Sequence, residues 1–266
     1  MKTDHQTVNS ANIGICKLCS EERELCRSHA IPKAHFRQIL RQSPGGAVAI
    51  SSDESSPIRY TQDSWHARFL CTACEHSLNN SYDEYGISVL RDDSDRAKRS
   101  TVGITFTHID RIRLRMFCLS ILWRISVSKN VNYSNIDLPF LLEMELHKAL
   151  KGNEKISSSR FPVCIYKLRN QSGVLGFDNA GLRSASMAPE AFAVDGFQTV
   201  YFLCFGFLIE IVLPCLPKKY SARIGLLSGT KNIFLAPYRE VCDFKPLMDL
   251  SAHGIRKHAL GLTTVR

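Results

Sequence analysis

The stretch that decides the N-terminal fold is CKLCSEERELCRSHAIPKAHF, residues 16–36. It opens with a Cys-x-x-Cys pair, Cys16 and Cys19, and a second pair, Cys71 and Cys74, follows in RFLCTAC. Two thiolates three positions apart can both reach one ion at about 2.3 Å, and two such pairs complete a tetrahedral shell. The sequence therefore predicts one zinc ion held by these four cysteines.

The spacing of the pairs favours zinc over four unrelated buried thiols. Ten cysteines in 266 residues would give only about 0.4 such pairs by chance. Closing the long loop between the pairs costs roughly 3.5 kcal/mol, whereas structural zinc supplies roughly 10 to 16 kcal/mol. A closed four-sulfur shell leaves no position for water, so we expect a structural ion. The other cysteines are predicted to be small core residues: Cys26, Cys118, Cys164, Cys204, Cys215 and Cys242.

The composition bounds the partners and the compartment. Lysine and arginine outnumber aspartate and glutamate by 34 to 25, for a formal charge of +9. A basic chain is suited to a polyanion, so nucleic acid is the expected partner, although modest basicity also occurs in proteins that bind none. The N-terminus, MKTDHQ, has no apolar signal core, which together with the chain length argues against a secreted disulfide scaffold and indicates the cytoplasm.

One apolar stretch, TVYFLCFGFLIEIVLPCL at 199–216, approaches the length of a membrane span. Glu210 lies inside it, where a carboxylate would cost roughly 2.5 to 3.5 kcal/mol. Gly206 and Pro214 interrupt it, and it is rich in aromatic and β-branched residues. The sequence predicts buried β-structure here and no membrane partner.

The pattern of the chain predicts an α+β fold in four parts. Residues 1–12 are a polar tail, and 13–100 form the zinc domain. A core helical segment occupies 101–155, and a β-rich domain occupies 156–266. The charged run RDDSDRAKRS at 91–100 is interpreted as a solvated linker at the first boundary.

Within the zinc domain, Pro32 favours the start of a short helix whose apolar face carries Phe36, Ile39 and Leu40. The small, Ser-rich span 45–57 is predicted to be a surface loop. Extended chain is expected over 59–69, directly before the second cysteine pair. A longer helix over 73–90 should follow, because apolar residues recur there every three or four positions.

After the linker, Thr107 and Asp110 resemble a helix-starting cap. The helix that follows is apolar nearly all round and is predicted to be central; one face is marked by Ile112, Met116, Leu119, Trp123 and Val127. A second helix is expected over 138–150. Short apolar runs bounded by Gly, Pro, Ser and Asn then indicate strands: FPVCIYKL, TVYFLCF, FLIEIVL and KNIFLAPY.

Three stretches, CKLCSEERELCRSHAIPKAHF, RFLCTACEHSLNNSYDEY and MFCLSILWRISVS, together resemble the zinc-containing branch of the HNH nucleases, which share the ββα-metal fold. They resemble most an HNH-like group of bacterial proteins, and they cover roughly residues 14–130. The resemblance implies an N-terminal ββα unit in which His29 is the general base. It also implies a divalent ion, usually Mg²⁺, that stabilises the leaving oxygen of a phosphodiester.

The chain departs from the family pattern at three positions. The pattern has an Asp before the histidine, an Asn before the second pair and a His after it, whereas this chain has Ser28, His66 and Glu75. A modified site built from His29, His66 and Glu75 could hold Mg²⁺ or a softer divalent ion. In the alternative, His29 only fills a slot beside the zinc, and Glu75 pairs with an arginine.

Four arginines complete the candidates. Arg111, Arg113 and Arg115 could line a phosphate groove, or could be scattered solvated residues, since alternating positions on a helix point in different directions. Arg124 lies in the apolar part of the same helix and is predicted to pair internally with a carboxylate or a carbonyl.

Two functions therefore stand side by side. The first is an HNH-like, metal-dependent endonuclease with His29 as its base. The second is a catalytically degenerate zinc module that binds nucleic acid or a protein partner, acting as an accessory of a defence system or mobile element. In the second, the C-terminal part with the basic PKKYSAR at 217–223 would carry recognition.

Overall fold

The computed structural model describes most of the chain. The described residues are 12–42, 46–91, 95–152, 154–157, 159–173, 178–194, 197–216 and 223–264. Residues 1–11 of the predicted tail 1–12 and residues 217–222 of the basic segment lie outside them. Helices and strands are both abundant, so the α+β class is confirmed.

The region around the two cysteine pairs contains a three-stranded antiparallel sheet whose central strand is the second in the chain. Its strands are β1 (Ile13–Ile15), β2 (Glu22–His29) and β5 (His66–Cys71). Between β2 and β5 the chain forms α1 (Lys33–Gln42) and a hairpin of β3 (Ala47–Ala49) and β4 (Arg59–Thr61). The prediction of a loop throughout 45–57 is wrong at β3, because Val48 pairs with Tyr60 across that hairpin.

One long helical segment comes after β5, as predicted, but it is not regular. It consists of α2 (Thr72–Leu78), a π-turn (Asn79–Asp83) and α3 (Glu84–Leu90). A π-turn holds an extra residue and rotates the next helical turns relative to a regular helix. Asp83, the last residue of the π-turn, is buried.

The central element is α4 (Arg111–Val127), which is buried from Phe117 to Ile125. The side chain of Asp110 caps it by accepting a hydrogen bond from the Arg113 N–H at 2.9 Å. The prediction of a core helix is confirmed, but Ile112 is 58% exposed and does not belong to the buried face. Helix α5 (Phe140–Leu150) packs beside α4.

A seven-stranded sheet combines two strands from residues 97–106 with five strands from the C-terminal half. Its strands are β6 (Ala97–Arg99), β7 (Gly103–Phe106), β8 (Val163–Arg169), β9 (Glu190–Val194), β10 (Phe197–Cys204), β11 (Phe207–Leu213) and β12 (Phe234–Glu240). Their order is β6-β7-β12-β8-β11-β10-β9, in which the pair β12–β8 is parallel and the other pairs are antiparallel. The edge strand β6 lies inside the charged run 91–100, so the linker prediction is wrong there; the domain boundaries stay predictions.

The sheet is covered on both faces, as the apolar run at 199–213 predicted. Because side chains alternate along a strand, Ile209 and Ile211 join the core around α4, whereas Leu208 joins a second cluster. That cluster is closed by α7 (Lys245–Ala259), a helix that was not predicted; a short helix, α6 (Asn179–Arg183), also lies in this half. In the described part of the chain, no helix has the length and apolar character needed to cross a membrane.

Three of the six remaining cysteines are core residues, as predicted: Cys118, Cys164 and Cys204. Cys26 and Cys215 are only partly buried, and Cys242 is exposed, so the prediction is wrong for Cys242. Cys242 lies in a short 3₁₀ turn between β12 and α7 whose buried residue is Val241.

Candidate functional site

The four cysteines of the two pairs come together at one end of the three-stranded sheet. One sulfur from each of Cys16, Cys19, Cys71 and Cys74 lies within 4.8 Å of the others. The first pair sits in the turn after β1, where Ser20 N–H donates to the Cys16 carbonyl at 2.9 Å. The second pair sits where β5 ends and α2 begins, so each pair is positioned by a strand end.

Backbone amides point at the cluster, which suits thiolate ligands. The Cys71 N–H donates to Cys16 Sγ at 3.3 Å. Burial raises the pKa of Cys16, but the backbone N–H groups of Cys19, Cys71 and Leu18 outweigh it and lower the pKa to about 7. The four sulfurs can close around one tetrahedral ion, and four soft thiolates are the donor set of zinc.

His29 is the last residue of β2, and it is the cross-strand partner of His66 at the start of β5. The two rings are 5.9 Å apart between centroids. His29 is 7% exposed as a residue, and its Nε2 lies 2.9 Å from Ser64 Oγ. Burial lowers the pKa of His29 to about 4, with smaller contributions from the charges of Lys33, His66, Arg124 and Arg27. The ring is therefore neutral at pH 7.

A pocket of about 180 Å³ opens beside His29. Its wall combines the end of β2, the start of α1 and one side of the helical segment α2 to α3, and α4 contributes a single residue. The lining residues are His29, Pro32, Lys33, Ala34, Arg37, Glu75, Asn79, Asp83, Ile87 and Arg124. The sequence-predicted residues His29 and Glu75 thus face one space.

Glu75 presents a carboxylate oxygen that lacks a protein partner. Its Oε2 is buried, and among the described residues it has no hydrogen bond. Burial raises the pKa of Glu75, while the Arg124 charge, the Ser28 hydroxyl and the His29 backbone lower it. Glu75 is only partly exposed, and Arg124, a buried arginine, is the main charge that acts on it. An orphaned buried carboxylate oxygen is a chemically suitable ligand for a hard divalent ion.

His66 lies beside His29 but outside the lining of the pocket. Its Nδ1 is 3.4 Å from Arg27 Nη2 and 3.8 Å from Asp63 Oδ1. Within the described ranges, the four cysteines are the sole group of three or more metal-ligating side chains. His29, His66 and Glu75 therefore do not present three converging ligands, and His66 is the member that the geometry separates.

Sequence reasoning missed Asp83, the partner of Arg124. The guanidinium of Arg124 binds both oxygens of the Asp83 carboxylate, at 2.6 and 2.8 Å. Arg124 Nη1 also donates to the backbone oxygen of His29 at 3.0 Å. The predicted internal pairing of Arg124 is confirmed, and the signal for its partner was an acidic residue in the middle of the helix 73–90, since a buried arginine requires a counter-charge.

The three arginines at the start of α4 bind backbone carbonyls and do not line an open groove. Arg111 donates to the carbonyls of Ser228 and Ile233, and Arg113 donates to those of Asn80 and Ser81. Arg115 donates to carbonyls between 156 and 160. Their donors are used by backbone oxygens, which removes the phosphate-groove hypothesis for this set and also the description of them as solvated.

No protein-family model matches the chain, and no curated protein or solved structure matches it either.

Proposed function

We propose that the protein is a metal-dependent endonuclease of the HNH type that hydrolyses phosphodiester bonds of nucleic acid at the pocket beside His29. The observation that carries the proposal is that the His29 imidazole and the Glu75 carboxylate line one pocket, with Lys33 and Arg37 at the same wall. The order β2, β5, α2 and the resemblance of residues 14–130 support it. Cytoplasmic localisation belongs to the same proposal.

In this proposal His29 accepts a proton from the attacking water. Nδ1 of His29 has no hydrogen-bond partner among the described residues, whereas Nε2 is beside Ser64. A neutral imidazole is the correct protonation state for a general base, although a pKa near 4 makes it a weak one. Arg124 fixes the His29 backbone, so the ring starts from a rigid strand end.

In this proposal a divalent ion and basic side chains stabilise the negative charge of the phosphodiester. Glu75 would hold the ion, since Mg²⁺ is usually bound through one or two carboxylates, with waters and substrate phosphates completing its shell. The ion would stabilise charge on the leaving oxygen. Lys33 and Arg37 would orient the phosphate from the wall of the pocket. Zinc on the four cysteines would be structural, because its shell is closed.

The test is cleavage of single- and double-stranded DNA and RNA with added Mg²⁺, Mn²⁺ or Ni²⁺. We expect His29→Ala to lower the rate by about 100-fold to 10,000-fold, the usual contribution of a general base. His258→Ala is the matched control, since His258 is exposed and does not line the pocket. Equal cleavage by wild type and His29→Ala overturns the proposal.

A second candidate is a zinc module that binds nucleic acid or a protein partner without cleaving it. Two observations favour it: the low pKa of His29 and the lack of three converging metal ligands at the pocket in the described chain. Salt titration of binding to duplex DNA separates the partners. Affinity that falls steeply with salt indicates phosphate contacts, and affinity that is insensitive to salt indicates a protein partner.

A further inference from the structure

Three cations form a row on the exposed face of α1. Lys33, Arg37 and Arg41 are four residues apart, so they lie on one side of the helix, one turn from each other. All three side chains are exposed, whereas the opposite face of α1 is buried through His35, Phe36 and Ile39. At 1.5 Å of rise per residue the row is about 12 Å long.

No carboxylate among the described residues pairs with this row: Lys33, Arg37 and Arg41 have no salt bridge and no side-chain hydrogen bond to one. Other cations of the protein are paired with carboxylates, for example Arg124 with Asp83 and Arg160 with Glu145. On many exposed helix faces, charges of opposite sign alternate and pair with each other, so such a face needs no external partner. The row on α1 carries one sign of charge only.

The row is continuous with the pocket. Lys33 and Arg37 line it, and Arg41 lies one turn further along α1, outside the lining. Two carboxylates face the pocket, Glu75 and Asp83, and Asp83 is neutralised by Arg124. A chain of anions lying along α1 would therefore end beside His29.

We propose that Lys33, Arg37 and Arg41, the α1 ridge, bind consecutive phosphates of one nucleic-acid strand and lead that strand into the pocket. The ridge rests on the proposed function, since it delivers the strand to His29. Nucleic acid fits better than an acidic protein because a strand carries one phosphate per nucleotide at regular intervals, which matches cations repeated at every turn. Arginine also binds phosphate with two parallel N–H donors.

The experiment measures binding rather than cleavage. Fluorescence anisotropy follows a labelled single strand and a labelled duplex against NaCl concentration, in a His29→Ala background without added divalent ions. The ridge variant is Lys33→Gln, Arg37→Gln and Arg41→Gln together, because glutamine retains helix propensity. We expect the slope of log affinity against log salt to shrink by about 0.9 per lost duplex contact, or about 0.7 for a single strand, hence by about 2 to 3 in all.

A charge-matched control separates local contacts from net charge. Lys129, Lys151 and Lys155 are exposed and do not line the pocket, so their triple glutamine variant removes the same three charges elsewhere. We expect this control to keep the wild-type slope. Circular dichroism melting of both variants verifies that each is folded.

Equal slopes for the ridge variant and the control overturn the ridge. Binding of poly-glutamate in place of both oligonucleotides also overturns it and indicates an acidic protein partner. Hydrolysis of bis(p-nitrophenyl) phosphate tests the pocket separately, because this small phosphodiester has no nucleic-acid strand that the α1 ridge could bind. If that hydrolysis does not depend on His29 while the ridge variant still loses slope, the endonuclease proposal fails and the ridge stands as a nucleic-acid-binding surface.

Discussion

Arg124 and Asp83 form a two-pronged ion pair in the centre of the protein, with Nη2 to Oδ1 at 2.6 Å and Nη1 to Oδ2 at 2.8 Å. Both side chains are buried. Because Arg124 also donates to the backbone oxygen of His29, the pair fixes α4, the π-turn and the end of β2 to each other. The pocket exists between elements that this pair joins.

We predict that Asp83→Ala lowers the free energy of unfolding by about 3 to 5 kcal/mol, because it leaves a buried guanidinium without a counter-charge. The double variant Asp83→Leu with Arg124→Met should be less destabilised than Asp83→Ala, since neither charge is then buried. Urea unfolding measures each value. Glu54→Ala is the control: it breaks the exposed pair with Arg256 and should change stability little. A double variant less stable than the single one would contradict this account.

Metal content should depend on the four cysteines. We predict one zinc ion per chain by elemental analysis, and we predict that Cys71→Ser loses it and unfolds at lower urea concentration, because metal binding is coupled to folding. Cys242→Ser is the matched control, since Cys242 is exposed and lies outside the cluster. Retention of zinc by Cys71→Ser, or its loss from Cys242→Ser, would refute the assignment.

The cysteine cluster could be predicted because its signal is local. Each pair lies within four residues, and the coordination chemistry of thiolates is enough to predict that two such pairs bind one tetrahedral ion. The strands of the C-terminal half could also be predicted from the sequence. Apolar residues occupy both the odd and the even positions of β11, so both faces of that strand must be covered. Helix α7 was not predicted, because Gly254 weakens its helical pattern; a Cβ at that position would meet Ile50 Cδ1 at 2.7 Å, so the flexible end of the Ile50 side chain would have to shift.

The pairing of Asp83 with Arg124 could not be predicted from the sequence, for a different reason. A regular helix over 73–90 fixes which residues share a face, but the π-turn at Asn79–Asp83 changes that register. The hydrogen bonds of Arg111 and Arg115 depend on distant loops brought to α4 by the tertiary fold. Long-range partners of this kind have no local pattern.

Stability should fall with acid because of His35, which is fully buried in α1. Burial lowers the pKa of His35 to about 4, against 6.5 in its ordinary state. The unfolded chain therefore binds more protons between those values, so stability is complete above pH 6.5 and is lost as pH falls towards 4, by roughly 3 kcal/mol.

We predict that His35→Gln makes the free energy of unfolding depend less on pH. Glutamine is chosen because its side-chain oxygen can accept the hydrogen bond that the Phe205 N–H donates to His35 Nδ1 at 3.2 Å. Urea unfolding at pH 7.5, 6 and 5 gives the slopes for wild type and variant. His258→Gln, at an exposed histidine, controls for the loss of a histidine, and a residual slope is expected from His29, whose pKa burial also lowers to about 4. Identical slopes for wild type and His35→Gln would exclude His35 as the cause.

Ser64 should act as a positioning residue for His29 in the proposed endonuclease. Its hydroxyl lies 2.9 Å from Nε2, so it can hold the tautomer that leaves Nδ1 for the water. We predict that Ser64→Ala slows cleavage less than His29→Ala does, and that Ser64→Thr restores the rate. In a His29→Ala background, Ser64→Ala should have no further effect, because residues that act as a unit are not additive. An equal loss in both backgrounds would mean that Ser64 acts independently of His29, through structure alone.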